Sequence, residues 1–188
     1  MRKLLAGFLA SGVLACLFAD SPVRYTDVTS AAGVKFTHNS GRAGKKWLPE
    51  TMGSGCAFFD ADGDGWLDII LINSKDWTPR GRKDLPALYR NNQNGTFTDI
   101  TAASGLAVEM YGLGVAVGDY DNDGRSDVYI TALEGDRLFH NEGGGKFRDA
   151  TKQSGIQNAD FGTSAAWLEE LRPKATYSGR NSNNRLNK

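Results

Sequence analysis

Two short carboxylate clusters are the residues of this 188-residue chain best suited to do chemistry. Both follow the pattern Asp-x-Asp-x-Asp-Gly-x-x-Asp, over residues 60–68 (Asp loop 1) and 119–127 (Asp loop 2). Oxygen donors at alternate positions, with a glycine for the sharp turn, suit Ca²⁺, which takes about 6–8 oxygen ligands. Carboxylates placed so close together repel one another unless a cation offsets their charge. The pattern therefore predicts two calcium sites.

Each predicted site combines four side chains with the main-chain carbonyl at the seventh loop position. The predicted ligands are Asp60, Asp62, Asp64, Asp68 and the carbonyl of Trp66 in Asp loop 1, and Asp119, Asp121, Asp123, Asp127 and the carbonyl of Arg125 in Asp loop 2. We expect a mainly structural role, in which each ion fixes a turn and stabilises the native state by binding only to it.

The residues around the loops exclude an EF-hand, which needs flanking helices and a glutamate at position 12. That position is Leu71 in the first loop and Ile130 in the second. Short apolar runs precede the loops at residues 55–59 and 114–117, and similar runs follow them. Runs of this length and β-branched content are typical of strands. Each metal site is thus predicted in the turn between two strands.

A wider repeat encloses the loops. An aromatic-x-Asp-x-Thr segment followed by glycine begins at Tyr25, Phe97 and Phe147, and a Leu-aromatic-x-Asn segment begins at Leu88 and Leu138. Residues 161–168 align with 52–59 and 111–118 as a third strand of the type that precedes a loop. Four antiparallel strands in about fifty residues are typical of a β-propeller blade. We predict an all-β fold, a partial propeller of about two to three blades; a β-meander or sandwich fits the period less well.

Two insertions interrupt the first repeat, at residues 37–51 and 75–86. They are polar, contain proline and glycine, and carry Trp47 and Trp77. Such segments are typical of surface loops, and we expect both on one rim of the molecule. The other two tryptophans, Trp66 and Trp167, occupy repeat positions and are expected to pack in the fold.

Residues 23–168 resemble the FG-GAP/VCBS repeats of integrin-α-like propellers. The strand-loop-strand segment 119–130 and the Leu-Phe-x-Asn and Phe-x-Asp-x-Thr-x-x-Ser-Gly segments carry the resemblance, which extends to the cartilage acidic protein and ASPIC/UnbV-type family. It implies a calcium-binding propeller, usually of seven blades, whose known members mostly bind other macromolecules and are not enzymes.

The N-terminus is typical of an export signal. A basic start, Met1 to Lys3, precedes an apolar stretch that ends at Ala19 and is shorter than the about 20 residues of a membrane span. Two alternatives stay open: a lipobox that leaves a lipid-modified Cys16 as the only membrane attachment, or simple cleavage after Ala19. Either predicts a secreted, periplasmic or cell-surface protein. The second cysteine, Cys56, lies in an apolar strand and is expected to be buried and inert.

Composition and the scarcity of catalytic pairs favour a binding protein. Equal numbers of cationic and acidic residues, 22 each, give no field that points to nucleic acid. We expect a non-enzymatic module that presents the insertions to an extracellular protein or glycan. The alternatives are part of a propeller hydrolase or lyase, for which His38, Glu50 and His140 are scattered candidates, and a purely structural fragment.

The end of the chain departs from the repeat. A third Asp loop is due after Leu168, but residues 169–188 are polar and rich in Asn and Ser. We expect this tail to be disordered and non-native, from a frameshift or a truncation; a genuine short tail is the alternative. A closed propeller needs about four or more blades. The chain is therefore interpreted as a fragment of a larger propeller, marginally stable and prone to associate.

Overall fold

The computed structural model describes residues 23–78, 81, 83–156, 158 and 160–168. The predicted signal segment, with Cys16, and the predicted tail at 169–188 lie outside these residues. Within the part of the chain described here, no helix is long and apolar enough to cross a membrane.

The fold consists of two four-stranded antiparallel sheets, each made by four consecutive strands in the order of the chain. Blade 1 contains β1 (Cys56–Phe59), β2 (Asp68–Leu71), β3 (Ala87–Asn91) and β4 (Phe97–Asp99), and blade 2 contains β5 (Gly112–Gly118), β6 (Asp127–Ala132), β7 (Arg137–Gly143) and β8 (Lys146–Asp149). The short helices are a 3₁₀ turn, Leu48–Thr51, and α1 (Thr101–Ser104). This arrangement confirms the prediction of a largely β, propeller-like chain with two complete four-stranded units.

The two sheets pack face to face around one hydrophobic core. Ile70 and Leu88 of blade 1 are fully buried against Val128, Ile130 and Phe139 of blade 2. The alternation along β2 and β6 places these side chains on facing surfaces, since neighbouring residues of a strand point to opposite faces. Near the start of β5 the backbones approach closely, and the Gly55 amide donates to the Leu113 carbonyl at 2.8 Å.

The recurring Asp-x-Thr segment forms the corner that ends each blade. The Asp99 carboxylate accepts from the Thr101 amide at 2.9 Å, and Asp149 accepts from Thr151 at the same distance. Thr101 Oγ1 in turn accepts from the Leu88 amide. The threonine thereby extends the hydrogen bonding of the sheet after the last strand has ended, which explains why this repeat has these residue types.

Residues 161–168 lie where a third blade would begin, although they do not form a strand as predicted. The Gly162 amide donates to the Ala132 carbonyl at 3.3 Å, and this repeats the bond from Gly112 to Asn73 one blade earlier. A Cβ atom at Gly118 would lie 2.2 Å from the ring of Trp167. The segment therefore covers β5, and Trp167 packs as predicted. The prediction that residues 161–168 form a strand was wrong, because no second strand pairs with this segment among the described residues.

The segment at Tyr25 has the Asp27–Thr29 bond of the repeat but, unlike its copies at Phe97 and Phe147, forms no strand, and Tyr25 is 95% exposed. Two other predictions need correction. Cys56 is exposed rather than buried, because it lies on the face of β1 that points away from blade 2. Trp66 is 49% exposed, since the turn of Asp loop 1 projects beyond both sheets.

Candidate metal centre

Asp loop 1 is the connection between β1 and β2, and its first and last aspartates organise it. Asp60 accepts hydrogen bonds from the amides of Gly63, Asp64 and Gly65 at 2.8–3.1 Å. Asp68 is buried and accepts from Ala61 at 2.9 Å and from Asn91 of β3 at 2.7 Å. The loop is thus held by main-chain donors that converge on two carboxylates.

Asp loop 2 connects β5 and β6 and repeats this arrangement. Asp119 accepts from the amides of Asp123 and Gly124 at 3.0 and 2.8 Å. Buried Asp127 accepts from Tyr120 at 2.9 Å and from Asn141 of β7 at 2.7 Å. Equivalent side chains therefore receive equivalent donors in the two blades.

Each loop brings three of its four predicted side chains together. Carboxylate oxygens of Asp60, Asp62 and Asp68 lie within 4.8 Å of one another, as do those of Asp119, Asp121 and Asp127. Of the fourth side chains, Asp64 accepts from Trp66 and Gln93. Asp123 contacts Arg125 and also forms a further group with Asp121 and His140, whose ligand atoms lie within 4.8 Å of one another. Three oxygens at this spacing could hold a metal ion, and an all-carboxylate donor set is that of a hard cation.

The backbone of the turns requires residues that accept a positive φ. Gly65 and Gly124, at the sixth loop position, have φ of 85° and 86°. Nothing lies within 4 Å of a Cβ built at either, so glycine is needed for conformation and not for space. At the fourth position Gly63 and Asn122 also have positive φ, 83° and 60°, and asparagine is the residue that tolerates this region best after glycine.

The last aspartate of each loop is the one whose pKa is raised in the absence of a cation. Burial raises the pKa of Asp68, the amides of Asn91 and Ala61 lower it, and the carboxylates of Asp62 and Asp64 raise it again. Burial is likewise the main cause of the raised pKa of Asp127. A divalent ion favours the charged form of both carboxyls, so ion binding and ionisation reinforce each other.

Two cationic or ionisable side chains that the sequence pattern did not include lie at Asp loop 2. Arg125, predicted only as a carbonyl ligand, binds Asp123 through its guanidinium and donates to the Asn141 carbonyl at 2.8 Å. His140 of β7 lies 3.1 Å from Asp127 and 3.5 Å from Asp121. Its equivalent in blade 1 is Arg90, which is exposed. Only strand register brings His140 to the loop, 13 residues from Asp127.

The two loops lie side by side at one end of the sheets. Asn141 bridges them, because its amide donates to the carbonyls of Ala61 and Ser126 at 3.1 and 3.0 Å. A cavity of about 130 Å³ lies between the loops and is lined by Asp62 and Arg125 among others. Among the described residues, the groups that could hold a metal ion therefore lie on one surface, which we call the loop face.

Comparison with protein families matches residues 60–130 and 119–168 to the FG-GAP-like repeat. The chain belongs to the FG-GAP-like repeat family. Both matched segments begin at the first aspartate of a loop, so the repeat includes the carboxylate triads as well as the strands around them. A search of the curated proteins gives no match.

The candidate catalytic residues of the chain lie in separate places. His38 Nε2 lies 3.0 Å from Ser54 Oγ, a pairing that the sequence spacing did not indicate, and Ser54 Oγ donates to the Gly112 carbonyl at 3.0 Å. Glu50 accepts from two loop amides, whereas His140 is at Asp loop 2. Among the hydrogen bonds of the described residues, none joins two of the three predicted candidates.

Proposed function

We propose that this chain is an exported, non-enzymatic interaction module in which two calcium ions hold the loop face and the insertions contact a protein or glycan. The observation that carries the proposal is the repeated triad, in which two loops of one family place three carboxylates within 4.8 Å. Ca²⁺ is the ion proposed because the side-chain donors are all oxygen and its coordination geometry is flexible.

Export and the finer family assignment belong to the same proposal. The basic, then apolar, first nineteen residues support passage out of the cytoplasm, where weak calcium sites of about 10⁻⁴–10⁻³ M can fill. Within the FG-GAP-like repeats we place the chain with the ASPIC/UnbV-type proteins on its repeat motifs. The His38–Ser54 contact is a weak basis for an enzyme, because the hydroxyl already donates its proton to Gly112.

Calorimetry on the metal-stripped chain tests the calcium sites. We expect binding of Ca²⁺ in preference to Mg²⁺, and its loss in the double variant Asp64→Ala, Asp123→Ala. Both carboxylates are predicted ligands of an ion that takes about 6–8 oxygens. Neither accepts a main-chain amide of a neighbouring strand, so their removal spares the bonds that Asp68 and Asp127 make to the fold. Glu109→Ala, Asp160→Ala removes two exposed negative charges elsewhere and is the control. Unchanged calcium heat in the loop variant would contradict the proposal.

The interaction role needs a separate experiment. A pull-down compares the intact chain with a variant in which both insertions are replaced by short Gly-Ser links. We expect the intact chain alone to retain its partner, while both proteins bind calcium equally. Equal capture by the two proteins would exclude the insertions as the contact surface.

A further inference from the structure

The two insertions form one continuous surface, which we call the insertion rim (residues 37–51 and 75–86, as far as they are described). The side-chain amide of Asn39 donates to the carboxylate of Asp76 at 3.0 Å and to that of Asp84 at 2.8 Å. The Asn39 main chain is also bonded to Asn73 and Ser74 at the end of β2. Because the connection after β2 lies at the opposite end of an antiparallel strand from the turn before it, the rim lies at the opposite end of blade 1 from the loop face.

Three aromatic side chains pack against one another at the rim. Trp47 and Trp77 make an edge contact with ring centroids 4.6 Å apart, and Trp77 lies 4.9 Å from Tyr111. The Tyr111 hydroxyl donates to the Ser40 carbonyl at 2.6 Å. Trp47 is nevertheless 46% exposed, and its neighbour Leu48 is 67% exposed. A large indole is thus fixed in position by other rings and still presents about half of its surface to solvent.

The segment that carries Trp47 is held in an uncommon conformation. Lys46 has a φ of 56°, a region that costs a non-glycine residue on the order of 1 kcal/mol. Buried Glu50 compensates by accepting from the Ala43 and Lys46 amides at 3.3 and 3.1 Å. A preorganised aromatic side chain loses little entropy when a ligand binds.

A buried donor near this surface has no partner. The indole Nε1 of Trp77 is inaccessible to solvent, and the structure gives it no acceptor. Leaving such an N–H unsatisfied costs about 1–3 kcal/mol. Because this N–H is covered by protein atoms, it adds to the cost of holding the rim in this conformation and makes no contact with a ligand.

The outward charge of the rim is positive. The two insertions contain seven Lys or Arg and three Asp or Glu, a net charge of +4 in a chain whose total is zero. The three acids are buried or half-buried and bond within the rim, whereas Lys45, Lys46 and Lys83 are exposed. No salt bridge joins these three ammonium groups to a carboxylate of the described residues. The rim therefore complements an anion.

We propose that the insertion rim binds an anionic polysaccharide, with a sugar ring on Trp47 and its carboxylate or sulfate groups against Lys45, Lys46 and Lys83. This inference rests on the proposed function as an interaction module and names its ligand class. A half-exposed indole matches the C–H face of a pyranose, and lysines act as point charges for either anion. An acidic peptide is less suited, because the described rim residues contain no strand whose edge a peptide could extend.

Three dextrans with one backbone provide the test: carboxymethyl-dextran, dextran sulfate and neutral dextran, each titrated into the intact chain at about 0.1 M salt. We expect binding of one or both charged dextrans and none of the neutral one. Trp47→Ala and the double variant Lys45→Ala, Lys46→Ala should each weaken binding at least tenfold. Trp47→Phe keeps an aromatic face and should stay within about threefold of the unmodified chain.

The controls remove the same chemical groups from other surfaces. Tyr25→Ala deletes an exposed ring, and Lys35→Ala, Lys146→Ala deletes two exposed ammonium groups; both should bind within twofold of the unmodified chain. Circular dichroism and calcium binding show that each variant is folded.

Several results would overturn the inference. These are the absence of binding to both charged dextrans, equal losses in rim and control variants, or tighter binding of polyglutamate, which would indicate an acidic protein partner. The proposed function fails separately. If deletion of the insertions abolishes partner capture while neither charged dextran binds, the interaction module stands and the polysaccharide inference is wrong.

Discussion

Blade 1 and blade 2 have the same strand order and the same loop position but differ in which faces are covered. Val128 and Ile130 of β6 are fully buried beneath blade 1. Their equivalents, Ile69 and Leu71 of β2, are only half-buried, and nearby Phe58 of β1 is 63% exposed. The strands of both blades are equally apolar on this face. Burial at these positions therefore depends on what covers the strand and not on the strand itself. Tyr89 of β3, on the same face as Ile69, is buried, and the Lys35 amide donates to its hydroxyl.

The Asp loops differ in a second respect. Asp loop 1 has Trp66 where Asp loop 2 has Arg125, whose guanidinium binds Asp123, and the second loop also has His140 beside its carboxylates. Asp loop 2 thus already contains positive or ionisable groups near the triad, whereas the described partners of the loop 1 carboxylates are amides. The same repeat unit therefore surrounds its carboxylates with different charged groups in the two blades.

Truncating side chains at equivalent positions should give the largest difference in the free energy of unfolding between the two blades. We expect Ile130→Ala to lower the free energy of unfolding by about 2–5 kcal/mol, because it leaves a cavity between two packed sheets. Leu71→Ala, at the equivalent place in blade 1, should cost about 1 kcal/mol, since its side chain is only partly buried. Urea unfolding at saturating calcium measures both. Equal costs would show that Leu71 is covered as completely as Ile130.

The register of this fold could be predicted from sequence because the repeat fixes it. The aspartates, the Asp-x-Thr corners and the glycine turns recur with enough regularity to place β1 to β8. Strand formation at Tyr25 and at residues 161–168 could not be predicted in this way. A blade strand forms only when its partner strand is paired beside it, and local sequence carries no information on that partner.

The candidate site was predicted as far as its residues lie in one loop. The eight aspartates stand out by spacing, and six of them form the two triads. His140 comes from another strand, and the Arg125 side chain bonds across to β7, so both depend on tertiary structure. The exposure of Cys56 was missed for a related reason, because an apolar strand does not reveal which of its faces has a neighbour.

Replacing the two glycines at equivalent corners by alanine should give an intermediate difference in stability. Gly105 has a φ of 83°, and a Cβ there would lie 2.1 Å from the Phe147 carbonyl of β8; Gly155 has a φ of 75° and nothing within 4 Å. Alanine costs about 1–2 kcal/mol at either position through the positive φ. We expect Gly105→Ala to cost about 1–3 kcal/mol more, through overpacking against blade 2. Thermal unfolding of the two variants measures this additional cost. Equal melting temperatures would contradict close packing at the Gly105 corner.

The smallest expected effect concerns the arginine of Asp loop 2. Arg125→Trp gives this loop the residue of Asp loop 1 and frees the Asp123 carboxylate from its guanidinium partner. We expect calcium to bind Asp loop 2 about two- to fivefold more tightly, since an exposed ion pair is worth only about 0.2–1 kcal/mol. Calorimetry in an Asp64→Ala background isolates this site. Arg137→Ala removes an equal charge at the other end of β7 and should leave the affinity unchanged. Weaker binding in Arg125→Trp would show that the arginine positions the loop for calcium, through its bond to the Asn141 carbonyl, and does not compete with the ion.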